Sequence, residues 1–182
     1  MKLLFFVCLG CICVLSESRG QNTTKADDSV QVSPDFCFIT LGGQKVMSSD
    51  LKGKVVVLDF WSTDCTPCVK SMPQLEEFYQ RYKNNPNVAF YLVNSGWEPI
   101  EKAKTFATSK RSSFLFFSWG TRYDLPFAYD SASVTLKAFD FDSNPSTVII
   151  DAKCRIRLRH SGYVEKVKDF LVDHVERCLV ER

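Results

Sequence analysis

The chain has 182 residues, with 45% hydrophobic and 24% charged side chains and a formal net charge of +2 at pH 7. These values are those of an ordinary globular protein, with enough chain for one domain and additional segments. No basic block stands out in the sequence, so its charge argues against a nucleic-acid partner.

Residues 1–20 have the features of a secretory signal peptide. Lys2 supplies a positive start, Leu3 to Leu15 form an apolar run of suitable length, and small residues precede position 21. A lipoprotein signal ending at Cys11 is the alternative. We predict export to the periplasm or cell envelope, or secretion if the source is eukaryotic. Membrane attachment is expected only if the chain is lipidated or keeps its signal.

Residues 21–34 are polar and unpatterned, which predicts a flexible linker, and we place the globular domain at 35–182. Three cysteines of this domain lie outside its C-x-x-C motif, namely Cys37, Cys154 and Cys178. An oxidising compartment permits disulfides between them, with Cys154 pairing with Cys178 or with Cys37. The alternative is that all three are small buried hydrophobic side chains.

The first half of the domain reads as a β-hairpin followed by alternating strands and helices. Gly42 and Gly43 mark the hairpin turn, and the apolar run from Val55 to Leu58 suits a strand covered on both faces. Pro73 lies inside the first helix and is expected to kink it. The predicted elements are strands at 36–39, 46–47, 55–61 and 88–93, and helices from about 69 to 82 and over 98–109.

The second half ends in another hairpin and a helix. Residues 110–129 have no clear period, and we interpret them as a loop over one end of the core, with a substrate-facing lip as the alternative. Asp130 and Ser131 predict the N-cap of a short helix through Phe139. The remaining elements are strands at 148–150 and 155–160 and a helix over 163–179. This order implies an α/β fold with a central mixed sheet flanked by helices.

The chemistry of the sequence centres on Cys65-Thr66-Pro67-Cys68, between the central strand and the first helix. A thiolate attacks disulfides, and the N-terminus of a helix lowers the pKa of a cysteine placed there. We therefore predict that Cys65 is the exposed nucleophile and that Cys68, one turn later, resolves the mixed disulfide. Pro67 suits the first turn of a helix.

Two further residues are chemical candidates. Asp59 lies on the apolar central strand and is either a strand-end residue satisfied by backbone or a buried carboxylate of raised pKa that exchanges protons with Cys68. Pro145, if its peptide bond were cis, would hold a backbone edge beside Cys65 for a substrate chain.

From about Asp35 to Leu179 the sequence resembles the thioredoxin superfamily, specifically the exported TlpA/ResA-like thiol–disulfide oxidoreductases. The matching pieces are LKGKVVVLDFWSTDCTPC, Pro73, VAFYLVN, DSASVTLKAFDFDSNPSTVIID and the final hairpin and helix. The resemblance implies a thioredoxin fold with an N-terminal hairpin extension and a cis Pro145. It also implies catalytic roles for Asp59, Cys65 and Cys68.

The resemblance further implies a reductase of protein disulfides that receives its electrons from another protein. A membrane-bound protein is one candidate for that electron donor. The redox carrier would be the Cys65–Cys68 pair, with no bound cofactor and no metal. The residues expected to contact the substrate are Asn144, Pro145, Trp61, Thr66 and Pro67.

Three positions depart from the family pattern. Asp64 stands where members usually carry Trp, Ser71 replaces the glutamate of ResA-like members, and Asn144 replaces an apolar residue before Pro145. These changes alter the surface beside Cys65 and make the substrate groove more polar. They argue against transferring a role in cytochrome c maturation.

Three other functions are alternatives to a thiol–disulfide oxidoreductase. A zinc site would combine Cys65 and Cys68 with His174 and Cys178, but the two halves lie about a hundred residues apart in sequence. A thiol peroxidase is a second alternative, although the Pro-x-x-x-Thr-x-x-Cys pattern is absent before Cys65. A non-catalytic binding module with the same fold is the third, and the intact C-x-x-C argues against it.

Overall fold

The computed structural model describes residues 31–108 and 123–181. The predicted signal peptide and residues 21–30 of the predicted linker lie outside the described residues. Within the described residues, the model contains no helix with the length and apolar character needed to cross a membrane.

The described chain forms one seven-stranded mixed sheet with helices packed on it. The strands are β1 (Cys37–Thr40), β2 (Lys45–Met47), β3 (Val55–Trp61), β4 (Val88–Asn94), β5 (Phe127–Tyr129), β6 (Ser146–Ile150) and β7 (Ile156–Ser161). The helices are α1 (Thr66–Tyr82), α2 (Ile100–Thr108), α3 (Val134–Ala138) and α4 (Val167–Val180). The strand order is β2-β1-β5-β4-β3-β6-β7, which confirms the predicted α/β class.

Strand β3 is an interior strand of the sheet, and all seven of its residues are buried. It pairs in parallel with β4 and antiparallel with β6. Because successive side chains of a strand point to opposite faces, its residues divide between two cores. Val57 and Trp61 pack in one core with residues of α1 and α4, whereas Leu58 and Phe60 pack in the other with residues of α3.

The N-terminal hairpin extends the sheet as predicted. Strand β1 pairs antiparallel with β2 on one side and with β5 on the other. Phe36 and Phe38 anchor it in the same core as Phe60 and Phe139. The extension is therefore a continuation of the central sheet.

The structure corrects the interpretation of residues 110–129 as a loop. Residues 127–129 form β5, which pairs in parallel with β4 and antiparallel with β1. A strand of three residues is too short to show an alternating pattern, so sequence periodicity did not detect it. Residues 109–122 lie outside the described residues.

The predicted linker is also corrected at its C-terminal end. Gln31 accepts a hydrogen bond from the amide of Ile156 at 2.8 Å, and the amide of Ser33 donates to Cys154 at 2.8 Å. Val32 forms an isolated antiparallel bridge with Arg155. The hydrogen-bonded fold thus includes residues from 31 onward, four positions before the predicted domain boundary.

The predicted N-cap at Asp130 acts on a different turn from the one expected. A short 3₁₀ turn, Ser131–Ser133, comes first, and α3 starts at Val134. The Asp130 carboxylate accepts hydrogen bonds from the amides of Thr135 and Leu136 at 3.0 and 2.8 Å. It therefore caps α3 from several residues upstream.

The three cysteines outside the C-x-x-C motif are free thiols in this structure. Cys178 is buried, as expected of a small hydrophobic side chain, whereas Cys37 and Cys154 are partly exposed. The bridges considered from sequence are not formed.

Candidate active site

The reactive pair lies where β3 passes into α1. Cys65 and Cys68 form a disulfide, with Cα atoms 5.3 Å apart. Cys65 is the N-cap residue of α1, and its Sγ accepts a hydrogen bond from the amide of Cys68 at 3.2 Å. The helix begins at Thr66, about three residues earlier than its apolar pattern indicated, because Thr66 and Pro67 are exposed and add no apolar position to that pattern. Cys65 is partly exposed and Cys68 only 2% exposed.

This arrangement separates the roles of the two sulfurs. A partner disulfide can reach only the partly exposed Cys65, and the buried Cys68 is one helical turn away from it. The free backbone N–H groups at the start of α1 favour a thiolate at Cys65 in the reduced protein. Pro67 lies in the first turn of α1, where a missing N–H costs no hydrogen bond.

Asp59 is a buried carboxylate in the layer that contains Cys68. Asp59 is two residues from Val57 and two from Trp61 along β3, so all three side chains point to the same face of the sheet. Val57 and Trp61 share a core with Cys68, and Asp59 therefore faces that layer. Its Oδ2 accepts a hydrogen bond from the Thr147 hydroxyl at 2.7 Å. Burial raises the pKa of Asp59 to about 7, although the bond from Thr147 opposes the shift. Asp59 can therefore gain and lose a proton near neutral pH.

The segment before β6 contains the cis peptide bond Asn144–Pro145. Pro145 is buried, and its carbonyl accepts a hydrogen bond from Gly162 at 2.8 Å. The Asn144 Oδ1 accepts from the Ser95 hydroxyl at 2.8 Å. Among the described residues, none hydrogen-bonds to the main chain of Asn144. The backbone edge available for a docked chain is therefore that of Asn144.

The remaining residues expected to contact substrate separate into two groups. Thr66 and Pro67 are exposed between the two cysteines. Trp61 has no exposed surface and packs against Phe106 and Phe127 at 5.1 and 5.3 Å between ring centroids. This placement corrects the expectation for Trp61, because an indole that is buried on all sides supports the site from beneath and offers no face to a substrate.

Sequence analysis missed one residue that the structure brings to the site. Glu98 follows β4, and its carboxylate accepts hydrogen bonds from the amide of Thr63 at 2.8 Å and from Asn94 at 2.6 Å. Burial alone would raise the pKa of Glu98, but the bonds from Thr63, Asn94 and Lys102 outweigh it and lower the pKa. A glutamate next to a proline is common at the start of a helix, so no local sequence pattern indicated that Glu98 belongs to the site.

Asp64 and Ser71, the two other positions that depart from the family pattern, each bind a neighbouring residue. Asp64 is exposed and forms an ion pair with Lys102 at 2.6 Å. Ser71 is buried, and its hydroxyl donates to the carbonyl of Pro67 at 3.0 Å. Ser71 thus closes a bond within α1 and places no charge beneath the cysteines.

The residues proposed for a zinc site are not gathered as ligands. Cys65 and Cys68 are joined to each other, and the Nδ1 of His174 lies 2.8 Å from the carbonyl of Phe170. Within 31–108 and 123–181, no three His, Cys, Asp or Glu side chains are grouped closely enough to hold a metal ion.

Comparison with known proteins agrees with this site. The profile of the redoxin family matches residues 25–172. The chain belongs to the redoxin family. It is 32% identical over 138 residues to the thioredoxin-like protein YneN of Bacillus subtilis (strain 168), covering 75% of this chain and 73% of that protein. It is also 32% identical over 134 residues to the thiol-disulfide oxidoreductase ResA of Geobacillus kaustophilus (strain HTA426), covering 74% and 70%.

A solved structure shares the fold. The solution structure of a candidate protein disulfide isomerase from Bacteroides thetaiotaomicron is 27% identical, with a TM-score of 0.67 over 83% of this chain and 89% of that one. The resemblance to TlpA/ResA-like proteins and the thioredoxin fold are thereby confirmed. This redoxin is a thiol–disulfide oxidoreductase, and its C-x-x-C pair is Cys65 and Cys68.

Proposed function

We propose that this redoxin reduces disulfide bonds in proteins outside the cytoplasm. The observation that carries the proposal is the pairing of a partly exposed Cys65 at a helix N-terminus with a buried Cys68, at the end of the β3–β6 pair where Asn144 leaves its backbone edge open. The site suits an extended chain, since an unpaired backbone edge binds such chains by main-chain hydrogen bonds. The apolar run of residues 3–15 supports export.

The proposed cycle begins with the reduced pair. The Cys65 thiolate attacks a sulfur of the substrate disulfide, forming a mixed disulfide and releasing one substrate thiolate. Cys68 then loses its proton to Asp59, and its thiolate attacks the Cys65 sulfur of the mixed disulfide. The second substrate sulfur leaves as a thiolate and takes up a proton from solvent, Asp59 releases its proton, and the Cys65–Cys68 disulfide forms. Two electrons have passed to the substrate, and Cys65 and Cys68 carry them without a bound cofactor.

The oxidised pair must then be reduced again by another protein. The same exposed sulfur, Cys65, is the point of entry, because Cys68 is 2% exposed. We propose a protein dithiol as the electron donor, on the substrate side of the membrane or within it. Thr66 and Pro67, which are exposed beside Cys65, would contact both the donor and the substrate.

The turnover test uses insulin as the disulfide substrate and dithiothreitol as the reductant. Wild type is expected to precipitate insulin B chain at least about tenfold faster than dithiothreitol alone, and Cys65→Ser to abolish the gain. Reduced Cys68→Ala, freed of dithiothreitol before insulin is added, should stop after the first step and accumulate a mixed disulfide at Cys65, visible by mass spectrometry. Equal rates for wild type and Cys65→Ser would instead indicate a non-catalytic binding module.

Direction is tested separately, by equilibrating the Cys65–Cys68 pair with glutathione buffers. A reductase should have a potential near that of thioredoxin, about −270 mV, whereas a value of about −120 mV belongs to strong oxidants and would overturn the assignment.

Export is tested by expressing the full chain and determining the N-terminus of the mature protein. A mature chain that begins at Gln21 outside the cytoplasm is expected.

A further inference from the structure

A cluster of polar side chains lies behind the turn that precedes Cys65. We name it the Glu98 cluster, and its members are Thr63, Asp64, Asn94, Glu98 and Lys102. Both Glu98 carboxylate oxygens accept from Thr63, one from its amide and the other from its hydroxyl. The Glu98 side chain is only 8% exposed. A carboxylate so buried, with a donor at each oxygen, holds its partners in one geometry.

Glu98 is itself held in place by neighbouring strands. The Tyr129 hydroxyl on β5 donates to the carbonyl of Glu98 at 2.7 Å. Asn94, at the end of β4, has no exposed surface and donates from Nδ2 to Glu98 Oε1 at 2.6 Å. The Asn94 Oδ1 in turn accepts from the amide of Gly96 at 3.1 Å. The carboxylate is therefore held by the sheet, and Thr63 is the turn residue that it binds.

Lys102 links the cluster to the exposed residue before the nucleophile. Its Nζ lies 3.2 Å from Glu98 and 2.6 Å from Asp64. It thus bridges the buried carboxylate of Glu98 and the exposed carboxylate of Asp64, the residue directly before Cys65. The ion pair with exposed Asp64 contributes little by itself to stability, as is usual for surface pairs.

The cluster acts on the two residues directly before Cys65. The turn of residues 62–65 is closed by a hydrogen bond from the Cys65 amide to the carbonyl of Ser62 at 3.2 Å. We propose that the Glu98 cluster positions Cys65 for attack: Glu98 fixes the turn through Thr63, and Lys102 offsets the charges of Glu98 and Asp64. Glu98 and Lys102 are thus positioning residues for the reaction, and neither needs to touch the substrate.

The sign of the effect follows from charge and geometry together. Glu98 is ionised at neutral pH, because its hydrogen bonds lower its pKa. A nearby negative charge disfavours the thiolate of Cys65, so it raises the pKa of that thiol. Loss of the Thr63 hydroxyl removes one of the two bonds that tie the turn to Glu98, so Cys65 is held less firmly at the N-terminus of α1. Loss of Lys102 leaves two carboxylates without their cation. Both changes reduce the thiolate fraction.

The first test replaces Thr63 without changing any charge. Reduced Thr63→Val is expected to be alkylated at Cys65 by iodoacetamide about three- to tenfold more slowly than wild type at pH 6, because a rise of one pKa unit reduces the thiolate about tenfold. Peptide mass spectrometry distinguishes Cys65 from the other thiols. Thr63→Ser retains both donors and should restore the wild-type profile of rate against pH.

The second test changes the cation on α2. Lys102→Met should shift the pH profile of Cys65 alkylation upward, in the same direction as Thr63→Val. Lys104→Met is the matched control, since Lys104 is exposed on the same helix and lies outside the cluster. Asp59 and Cys68, the other titratable groups of the site in the reduced protein, are unchanged in all variants.

The outcomes separate positioning from simple support of the fold. A merely structural role lowers the melting temperature but leaves the pH profile of Cys65 alkylation where it is in wild type. Profiles of Thr63→Val and Lys102→Met that coincide with wild type would overturn the proposal. So would a shift of equal size in Lys104→Met. Because alkylation needs no protein client, these results are independent of whether insulin is reduced.

Discussion

At the scale of single residues, Asp59 joins the chemistry of the site to its stability. Its position on β3 was predicted from sequence, where a carboxylate in an apolar run is unusual. Its partner was not predicted, because Thr147 is 88 positions away and reaches it only through the pairing of β3 with β6. Thr147 is two residues after Pro145, so the strand that follows the docking edge also supplies the hydrogen-bond partner of the proton acceptor.

The first prediction concerns the pH dependence of stability. The pKa of Asp59 rises from 3.8 to about 7 in the folded protein, so between these values the folded state binds more protons than the unfolded state. The contribution of Asp59 is therefore most favourable below about pH 4 and is lost as the pH rises through about 7. Relative to wild type, Asp59→Asn should be more stable at pH 8 than at pH 5.

Urea unfolding of the oxidised proteins at both pH values measures this difference. We expect a change of a few kcal/mol at most, because each pKa unit corresponds to about 1.4 kcal/mol. Asp142→Asn is the control, since Asp142 is exposed. If the free-energy difference between Asp59→Asn and wild type were the same at pH 5 and pH 8, Asp59 would not titrate in this range.

At the scale of elements, the loop between β4 and α2 is the segment that the sequence described least well. It contains Gly96, whose φ of +69° places it in the left-handed region. A Cβ at Gly96 would lie 1.9 Å from the carbonyl oxygen of Asp130. The loop therefore touches the turn before α3, and it carries Ser95 toward Asn144 on one side and Glu98 toward Thr63 on the other.

The second prediction compares two glycines with similar backbone conformation. Gly43 has a φ of +88°, but nothing lies within 4 Å of a Cβ placed there. Gly43→Ala should cost about 1–2 kcal/mol, from the left-handed conformation alone. Gly96→Ala should cost more, because backbone must also move. Thermal and urea unfolding of both variants provide the measurement, and equal losses would argue against the close contact.

Helix starts show why the ends of elements are harder to predict than the elements themselves. The helix predicted over 163–179 is present as α4, and its buried residues recur at helical spacing: Val167, Leu171, Val175 and Cys178. The start of α1 was placed too late, since its first turn is occupied by exposed Thr66 and Pro67 and lacks an apolar pattern. Asp130 was correctly predicted to cap α3, but the helix was expected to start directly after it and starts at Val134.

At the scale of the whole molecule, residues 31–33 extend the sheet region beside β7. Their hydrogen bonds to residues 154–156 were invisible in a polar segment whose composition is that of a linker. The third prediction is that a chain shortened to begin at Asp35 unfolds at a lower temperature than one that begins at Gln21. Two backbone hydrogen bonds contribute about 1–3 kcal/mol.

Calorimetry of the two chains tests this expectation, and a chain beginning at Gln31 is the matched control. The chain that begins at Gln31 should have the same melting temperature as the chain that begins at Gln21, because it keeps both hydrogen bonds. If the Asp35 chain melted at the same temperature as the other two, residues 31–33 would contribute nothing to the fold.

The sequence by itself determined the redox pair, the buried strand before it, the central mixed sheet and most helices. These features are local, since a C-x-x-C after an apolar run and before an amphipathic pattern needs no distant contact to be recognised. Tertiary structure alone decided which side chains meet at the site. Thr147 reaches Asp59, Glu98 restrains Thr63 and Trp61 is buried through strand pairings that join distant parts of the chain. Such contacts depend on register between strands, which a single sequence does not display.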